Sequence, residues 1–229
     1  MSKWTWFVVL FSRVTLNLAV RVTYPFLPAI ARGLGISFEM AGLLVAARHF
    51  VGLTGALWGL LSEKKGYAWG MVFGLSALFL GSLTVSVSRT FPLALLGFVL
   101  IGLSKPVYDP NVQAFASSRI PYSKRARALG ILESSWAGSW LIGIPLSGLL
   151  IAHFGWQSPF VLISGAALLA IVGTKRLQEV NRSNPNNKES SRQVVSSSGE
   201  EVTGRARPFL ILGVSLLMVF ANENMVIVY

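Results

Sequence analysis

Hydrophobic and polar positions along this chain are segregated into long blocks. Seven apolar stretches occupy residues 4–31, 38–61, 68–86, 92–118, 128–151, 159–174 and 209–229, separated by short charged or Gly- and Pro-rich turns and by one polar segment, 175–208. Most stretches reach the roughly 20 residues that a helix rising about 1.5 Å per residue needs to cross a hydrocarbon core roughly 30 Å thick. The sixth is short, with Trp156 and Gln157 available to extend it into the interface. A backbone in lipid must satisfy its own hydrogen bonds, and these runs are too long and too uniformly apolar for barrel strands. The pattern therefore predicts an all-α, polytopic transmembrane helix bundle.

Charge refines this picture. Of 20 Lys and Arg, fourteen fall at Lys3, Lys64, Lys65 and within 119–127 and 175–207. The intervening loops hold only Arg32 and Arg89, and the other four lie inside apolar runs. Basic residues collect on the cytoplasmic side of membrane proteins, so the N-terminus, 62–67, 119–127 and 175–208 are expected in the cytoplasm of a plasma or inner membrane, with 32–37, 87–91 and 152–158 outside. That distribution, with 53% hydrophobic and only 13% charged residues, assigns the net charge of +11 to topology rather than nucleic-acid binding. Lys3 followed by an apolar run ending in Ala29-Ile30-Ala31 has the outline of a signal peptide. The run is twice too long for one, however, and Arg13 and Arg21 interrupt it, so it reads as an uncleaved first span.

The expected organisation is a six-helix bundle over 1–174, a cytoplasmic linker over 175–208 and a seventh helix over 209–229. The linker's Ser, Asn, Lys, Arg and Glu cannot form a packed core. Small residues recur through the spans, at Gly42, Gly52, Gly55 and Gly59 in the second, Gly70, Gly74 and Gly81 in the third, and Gly130, Gly138, Gly143 and Gly148 in the fifth. Such stripes let helices approach closely in lipid, and a smooth face also permits one bundle to slide on another.

Ionisable residues within spans are costly unless paired or wet, which makes them the candidate site. Arg13, Asn17, Arg21 and Tyr24, spaced by four, four and three, are expected on one face of the first helix, lining a cavity. Arg48 and His49 diverge by about 100°, so only one should point centrally, and Arg48 is the choice. Lys105 and Asp109 sit at i, i+4 beside Pro106 and Pro110, an arrangement for an internal ion pair or a gating bend. Glu133 falls at a depth comparable to Arg13, Lys105 and Asp109, and the four are expected in one network able to neutralise charge or exchange a proton. His49 and Glu223 are further proton-coupling candidates. Four bases (Arg13, Arg21, Arg48, Lys105) against three acids (Asp109, Glu133, Glu223) favour an anionic small-molecule substrate. No hydrolase constellation, phosphate-cradling loop or metal-ligand cluster is visible, so neither an enzyme, a cofactor nor a metal is expected.

Several motifs resemble those of the major facilitator superfamily. Gly59-Leu-Leu-Ser-Glu63-Lys64-Lys65-Gly66-Tyr67 is similar to its loop signature between helices two and three, with Tyr67 in place of the final base. Gly102 followed by Pro110, and the turn running from Pro121 to Gly130, resemble its fourth-helix and following-loop patterns, with Phe98 standing where an arginine is usual. Gly143-Ile-Pro145-Leu-Ser-Gly148 is similar to a degenerate antiporter motif, and Gly155-Trp156 with Phe160 to the start of the sixth helix. The resemblance, nearest to the drug and sugar efflux branch, implies two six-helix halves, each built from two three-helix inverted repeats, and a midplane substrate site. It implies a secondary active transporter that exports or exchanges a small organic solute, with protons as coupling partners. Gly59, Glu63, Lys64 and Gly66 would form the conformational loop, and Pro110, Gly143, Pro145 and Gly148 would serve packing and gating. On that template the chain reads as a first half plus a seventh helix, a fragment or truncated frame whose partner is the missing C-terminal half or a second copy. The alternative is a half-size membrane protein with no transport activity of its own.

Overall fold

The computed structural model describes residues 2–182 except 56, 57, 59, 60, 63 and 64. Within these the chain is all-α: α1 (Lys3–Arg21), α2 (Thr23–Leu34), α3 (Phe38–Gly52), α4 (Tyr67–Ser86), α5 (Phe91–Ser117), α6 (Tyr122–Gly138), a π-turn (Ser139–Gly143), α7 (Ile144–Phe154) and α8 (Ser158–Arg182). Side chains are described to residue 177. The linker beyond 182, the seventh span with Glu223, and Gly59, Glu63 and Lys64 lie outside the described residues. Four helices, α4, α5, the α6–α7 span and α8, are long and apolar enough to cross a membrane, and α1 with α2 makes a fifth if that bent pair is one span.

The termini of these helices follow from local chemistry. Ser2 and Ser37 cap α1 and α3, their hydroxyls accepting from the Thr5 and Met40 amides at 3.1 and 3.3 Å. Gly35 ends α2 in the left-handed region at φ 65°, with the Ile36 amide donating to the Ala31 carbonyl at 3.1 Å. Gly66 precedes α4 at φ 95°, ψ 145°, backbone space that side-chain-bearing residues rarely enter, which explains a glycine at that motif position.

Three breaks depart from the expected spans, and the second stretch, 38–61, holds one of them: α3 ends at Gly52 and a turn follows at Leu53 and Thr54. The first apolar stretch is two helices bent by 54° at Val22. Pro25 lacks the amide that would bond the Arg21 carbonyl, and its ring crowds that carbonyl, so α1 stops there and α2 restarts with Pro25 in its first turn. The fifth stretch is interrupted by the π-turn, where Pro145 likewise has no amide for the Leu141 carbonyl. By contrast α5 stays helical through Pro106 and Pro110. The sixth stretch, short by composition, continues as helix to Arg182.

Packing is densest around α4, which lies against α5 and α8, while α1 contacts α8, α6 and α5. The interior is built from Leu16, Met71, Leu75, Leu78, Phe98 and Ile101, closed by Phe160 and Ile163 of α8. Lipid supplies no hydrophobic drive between helices, so close backbone approach matters. A Cβ added at Gly74 would stand 2.9 Å from the Ser104 carbonyl oxygen, and one at Gly81 2.8 Å from that of Gly97. Large apolar side chains such as Phe50, Leu141 and Phe154 are exposed, as the surface of a lipid-embedded bundle requires.

Candidate functional site

Arg13 lies ten residues into α1, about 15 Å along its axis and near the middle of a roughly 30 Å core. It is 3% exposed. Its Nη2 donates to Glu133 Oε1 of α6 at 3.0 Å, and its Nε stands 3.7 Å from Asp109 Oδ1 of α5. Lys105, one turn before Asp109 on α5, places Nζ 2.9 Å from Asp109 Oδ2 and donates to Asn17 Oδ1 of α1 at 2.8 Å. Asn17 Nδ2 in turn donates to Ser135 Oγ at 3.3 Å. The four charged residues therefore come together in one alternating row, Lys105, Asp109, Arg13, Glu133, that links α1, α5 and α6. Two cations and two carboxylates balance, which is what makes the row tolerable in a low-dielectric interior. The row grades outward, from buried Arg13 to Glu133, whose side chain is 59% exposed. Arg13 Nη1 is buried with no hydrogen-bond partner among the described residues.

A second polar cluster sits beyond the break. Arg48 of α3, also buried, donates from Nη1 to the Val20 carbonyl at 2.8 Å and to Thr23 Oγ1 at 3.2 Å, and from Nη2 to the Tyr24 hydroxyl at 2.9 Å. It thus satisfies backbone and side-chain groups where α1 gives way to α2. His49 Nε2 lies 2.9 Å from the same Tyr24 hydroxyl and 3.3 Å from Arg48 Nη2. Two expectations are corrected here. Tyr24 does not continue the Arg13–Asn17–Arg21 face, because the helix breaks before it. Nor do Arg48 and His49 diverge, because the long arginine side chain curls to reach the phenol that His49 also meets. Gly102 of α5 leaves room for the Arg48 carbonyl against it.

Arg21, the last residue of α1, stacks on aromatic rings. Its Cζ is 4.3 Å from the centroid of Trp136 and 5.2 Å from that of Trp140, cation–π distances that offset part of the cost of a guanidinium in the membrane. Ser135, Trp136, Trp140 and Thr23 were not singled out by sequence. The i, i+4 repeat of tryptophan beside a serine in the fifth span was the available signal. Gly143 accommodates Leu18, with a would-be Cβ 2.6 Å from its Cδ1, and Gly148 faces Phe26 at 3.4 Å, so both place the fifth span against the first. Pro145 sits in the first turn of α7, and Pro110 follows Asp109 within α5. Among the described residues no group of His, Asp and Glu is arranged to hold a metal ion.

The Major Facilitator Superfamily family model matches residues 9–228. The chain belongs to that superfamily. As a facilitator-superfamily chain it is a multi-pass membrane protein of a transporter family, not an enzyme. Its relatives include an uncharacterised MFS-type transporter, YwfA, of Bacillus subtilis, 25% identical over 59% of this chain and 34% of that protein. Multidrug resistance protein 2 of Bacillus subtilis is 26% identical over 73% of this chain and 42% of its own length. The quinolone resistance protein NorA of Staphylococcus aureus is 23% identical, covering 72% and 43%. The chain thus spans less than half the length of these relatives. A crystal structure of the peptide transporter POT in complex with sulfate superposes with a TM-score of 0.67 at 14% identity, covering 95% of this chain and 46% of that one, which is a likeness of fold.

Proposed function

We propose that this chain forms the N-terminal bundle of a secondary active transporter that exports or exchanges a small organic solute by alternating access. The reading rests on one observation above all, the charge row Lys105–Asp109–Arg13–Glu133 at mid-depth of an apolar bundle, with Asn17 and Ser135 continuing it. A purely structural core would be cheaper without four charges, since well-packed apolar residues of similar volume are as stable as a buried ion pair or more so. A row exposed at its Glu133 end can exchange a proton with water. A proton taken up at Glu133 would release Arg13, whose guanidinium would then repack against Asp109. That changes the ties between α1, α5 and α6 and couples protonation to helix position. The π-turn and the break at Val22, at the ends of helices bearing the row, provide the places where backbone can bend.

On the superfamily's plan of two six-helix halves, a second bundle closes the cavity. The homology to multidrug and quinolone resistance proteins supports export as the direction. The N-terminus, 119–127 and 175–208 are placed in the cytoplasm on the distribution of Lys and Arg. The full-length protein reconstituted into liposomes should carry solute flux driven by a solute or proton gradient across a broad panel of small organic compounds. Absence of flux across that panel under either gradient would sink the reading.

A further inference from the structure

We infer that the turn between α5 and α6, with Arg119, Lys124, Arg125 and Arg127 around Tyr122, is a docking surface for anionic phospholipid headgroups. The inference goes beyond the transporter reading and does not depend on it.

Packing gathers these bases at one end of the bundle. Arg13 pairs with Glu133 and Asn17 with Ser135, so α1 and α6 run parallel. Asp109 also meets Arg13 and Lys105 meets Asn17, so α5 runs antiparallel to both. Lys3, Arg119 and Ser123 each lie ten residues from a member of the charge row, Arg13, Asp109 and Glu133, which is roughly 15 Å along each axis toward the same end. The described side chains include only three acids, Glu39, Asp109 and Glu133. Asp109 and Glu133 are held in the charge row. Glu39 opens α3, which runs parallel to α5, because Arg48 packs at Gly102 and Gly55 at Pro106, so it sits at the opposite end.

The four bases therefore meet no carboxylate among the described residues. Lys124 and Arg127 are exposed. Arg125 donates from Nε to the Ile120 carbonyl at 3.1 Å, which ties the turn back on itself without using the two terminal nitrogens. Arg119 is partly buried, and that burial pulls its guanidinium below its ordinary pKa. The Phe115 ring, 3.8 Å from Arg119 Cζ at its centroid, replaces an anion only in part.

The occupant follows from what surrounds the charges. Tyr122 is 85% exposed in their midst, at the end of two apolar helices. A phenol there matches headgroup level, where its ring meets acyl chains and its hydroxyl meets water. Clustered bases beside a membrane span attract anionic lipid by about 1 kcal/mol each. Residues 183–208 of the linker carry four bases against three acids, a poor complement to a basic surface.

The test is native mass spectrometry of the full-length protein in detergent, with equal amounts of phosphatidylglycerol and phosphatidylcholine. Phosphatidylglycerol should be retained at least about fivefold in preference. Replacing both exposed bases, Lys124→Gln with Arg127→Gln, should cut that preference at least about threefold. Arg125→Gln should lower it, whereas Arg125→Lys, which keeps the charge, should hold it within about twofold. Arg32→Gln with Arg89→Gln removes the same charge from exposed positions at the opposite end and should leave it within about twofold. The inference is overturned by equal retention of the two lipids, by an unchanged preference in the Lys124 and Arg127 variant, or by an equal fall in the Arg32 and Arg89 variant, which would mean net charge alone. Displacement of the lipid by excess glycerol 3-phosphate would overturn it in favour of a soluble phosphate. A rise in lipid retention with Glu200→Gln and Glu201→Gln would overturn it in favour of the linker as occupant.

Discussion

The third and fifth spans carry similar glycine stripes, but the third packs against a neighbouring helix along its length and the fifth only at Gly143 and Gly148. Half of the apolar window of α4 is buried, whereas only 17% of that in the α6–α7 span is. Gly74 and Gly81 of α4 press against the backbone of α5, with no space for even a methyl group. Gly130 and Gly138 of α6 have nothing within 4 Å of a would-be Cβ among the described residues. Glycine spacing permits close approach but does not say which face is approached. The α4–α5 seam is packed backbone against backbone. The α6–α7 span, which holds Glu133, Ser135, Trp136, Trp140 and the π-turn, is the more exposed side of the same bundle and carries part of the candidate site.

The largest contrast is topological. Thr90, just before α5, and Ser123, in the first turn of α6, are both exposed and lie at opposite ends of α5, and the proposed topology puts Thr90 outside and Ser123 in the cytoplasm. In this cysteine-free chain, Thr90→Cys should react with an impermeant maleimide added to intact cells and Ser123→Cys only after permeabilisation. Reaction of both from outside would overturn the orientation.

Next comes the seam itself. Gly81→Leu forces a side chain into the Gly97 carbonyl, and because backbone cannot give way as a side-chain tip can, it should cost at least about 3 kcal/mol. A thermal-stability assay on detergent-purified protein reads this directly. Asp109→Asn removes the carboxylate shared by Arg13 and Lys105 and should cost about 3 kcal/mol in the same assay, because it leaves a buried cation short of its counter-charge. Retention of parental stability by either variant would mean that the seam or the row is looser than described. The smallest effect belongs to the exposed span. Gly130→Ala should be neutral or stabilising by up to about 1 kcal/mol, since it gains helix propensity and meets no neighbour. A large loss there would place α6 against a surface in the folded protein.

The third to sixth spans and the charge row were legible, the row because burying charge in lipid is expensive enough to leave a mark at single residues: Arg13, Lys105, Asp109 and Glu133 each stand out against an apolar background. Their meeting could be anticipated from helix rise alone. The break at Val22 was written in Pro25 and Pro28 but was masked by a run apolar enough to pass as one helix. The meeting of Arg48 and His49 at Tyr24 could not be read from a 100° angular offset, because side-chain length, not Cβ direction, decides where a guanidinium ends. The contact of Arg21 with Trp136 and Trp140 went unnoticed for a different reason. Tryptophan in a membrane span is ordinarily read as an interfacial anchor, and its partner Arg21 lies more than a hundred residues away in sequence.

Glu133 separates function from stability most cleanly, because it belongs to the charge row yet is largely exposed. Glu133→Gln keeps an oxygen that can accept from Arg13, and Asp109 still neutralises that buried guanidinium, so the variant should lose less stability than Asp109→Asn, about 1–2 kcal/mol. Proton-driven solute flux by the full-length protein in liposomes should nevertheless fall at least about tenfold if Glu133 is the proton-exchanging group of the proposed mechanism. A Glu133→Gln protein with parental flux would contradict the claim that the row couples protons to transport.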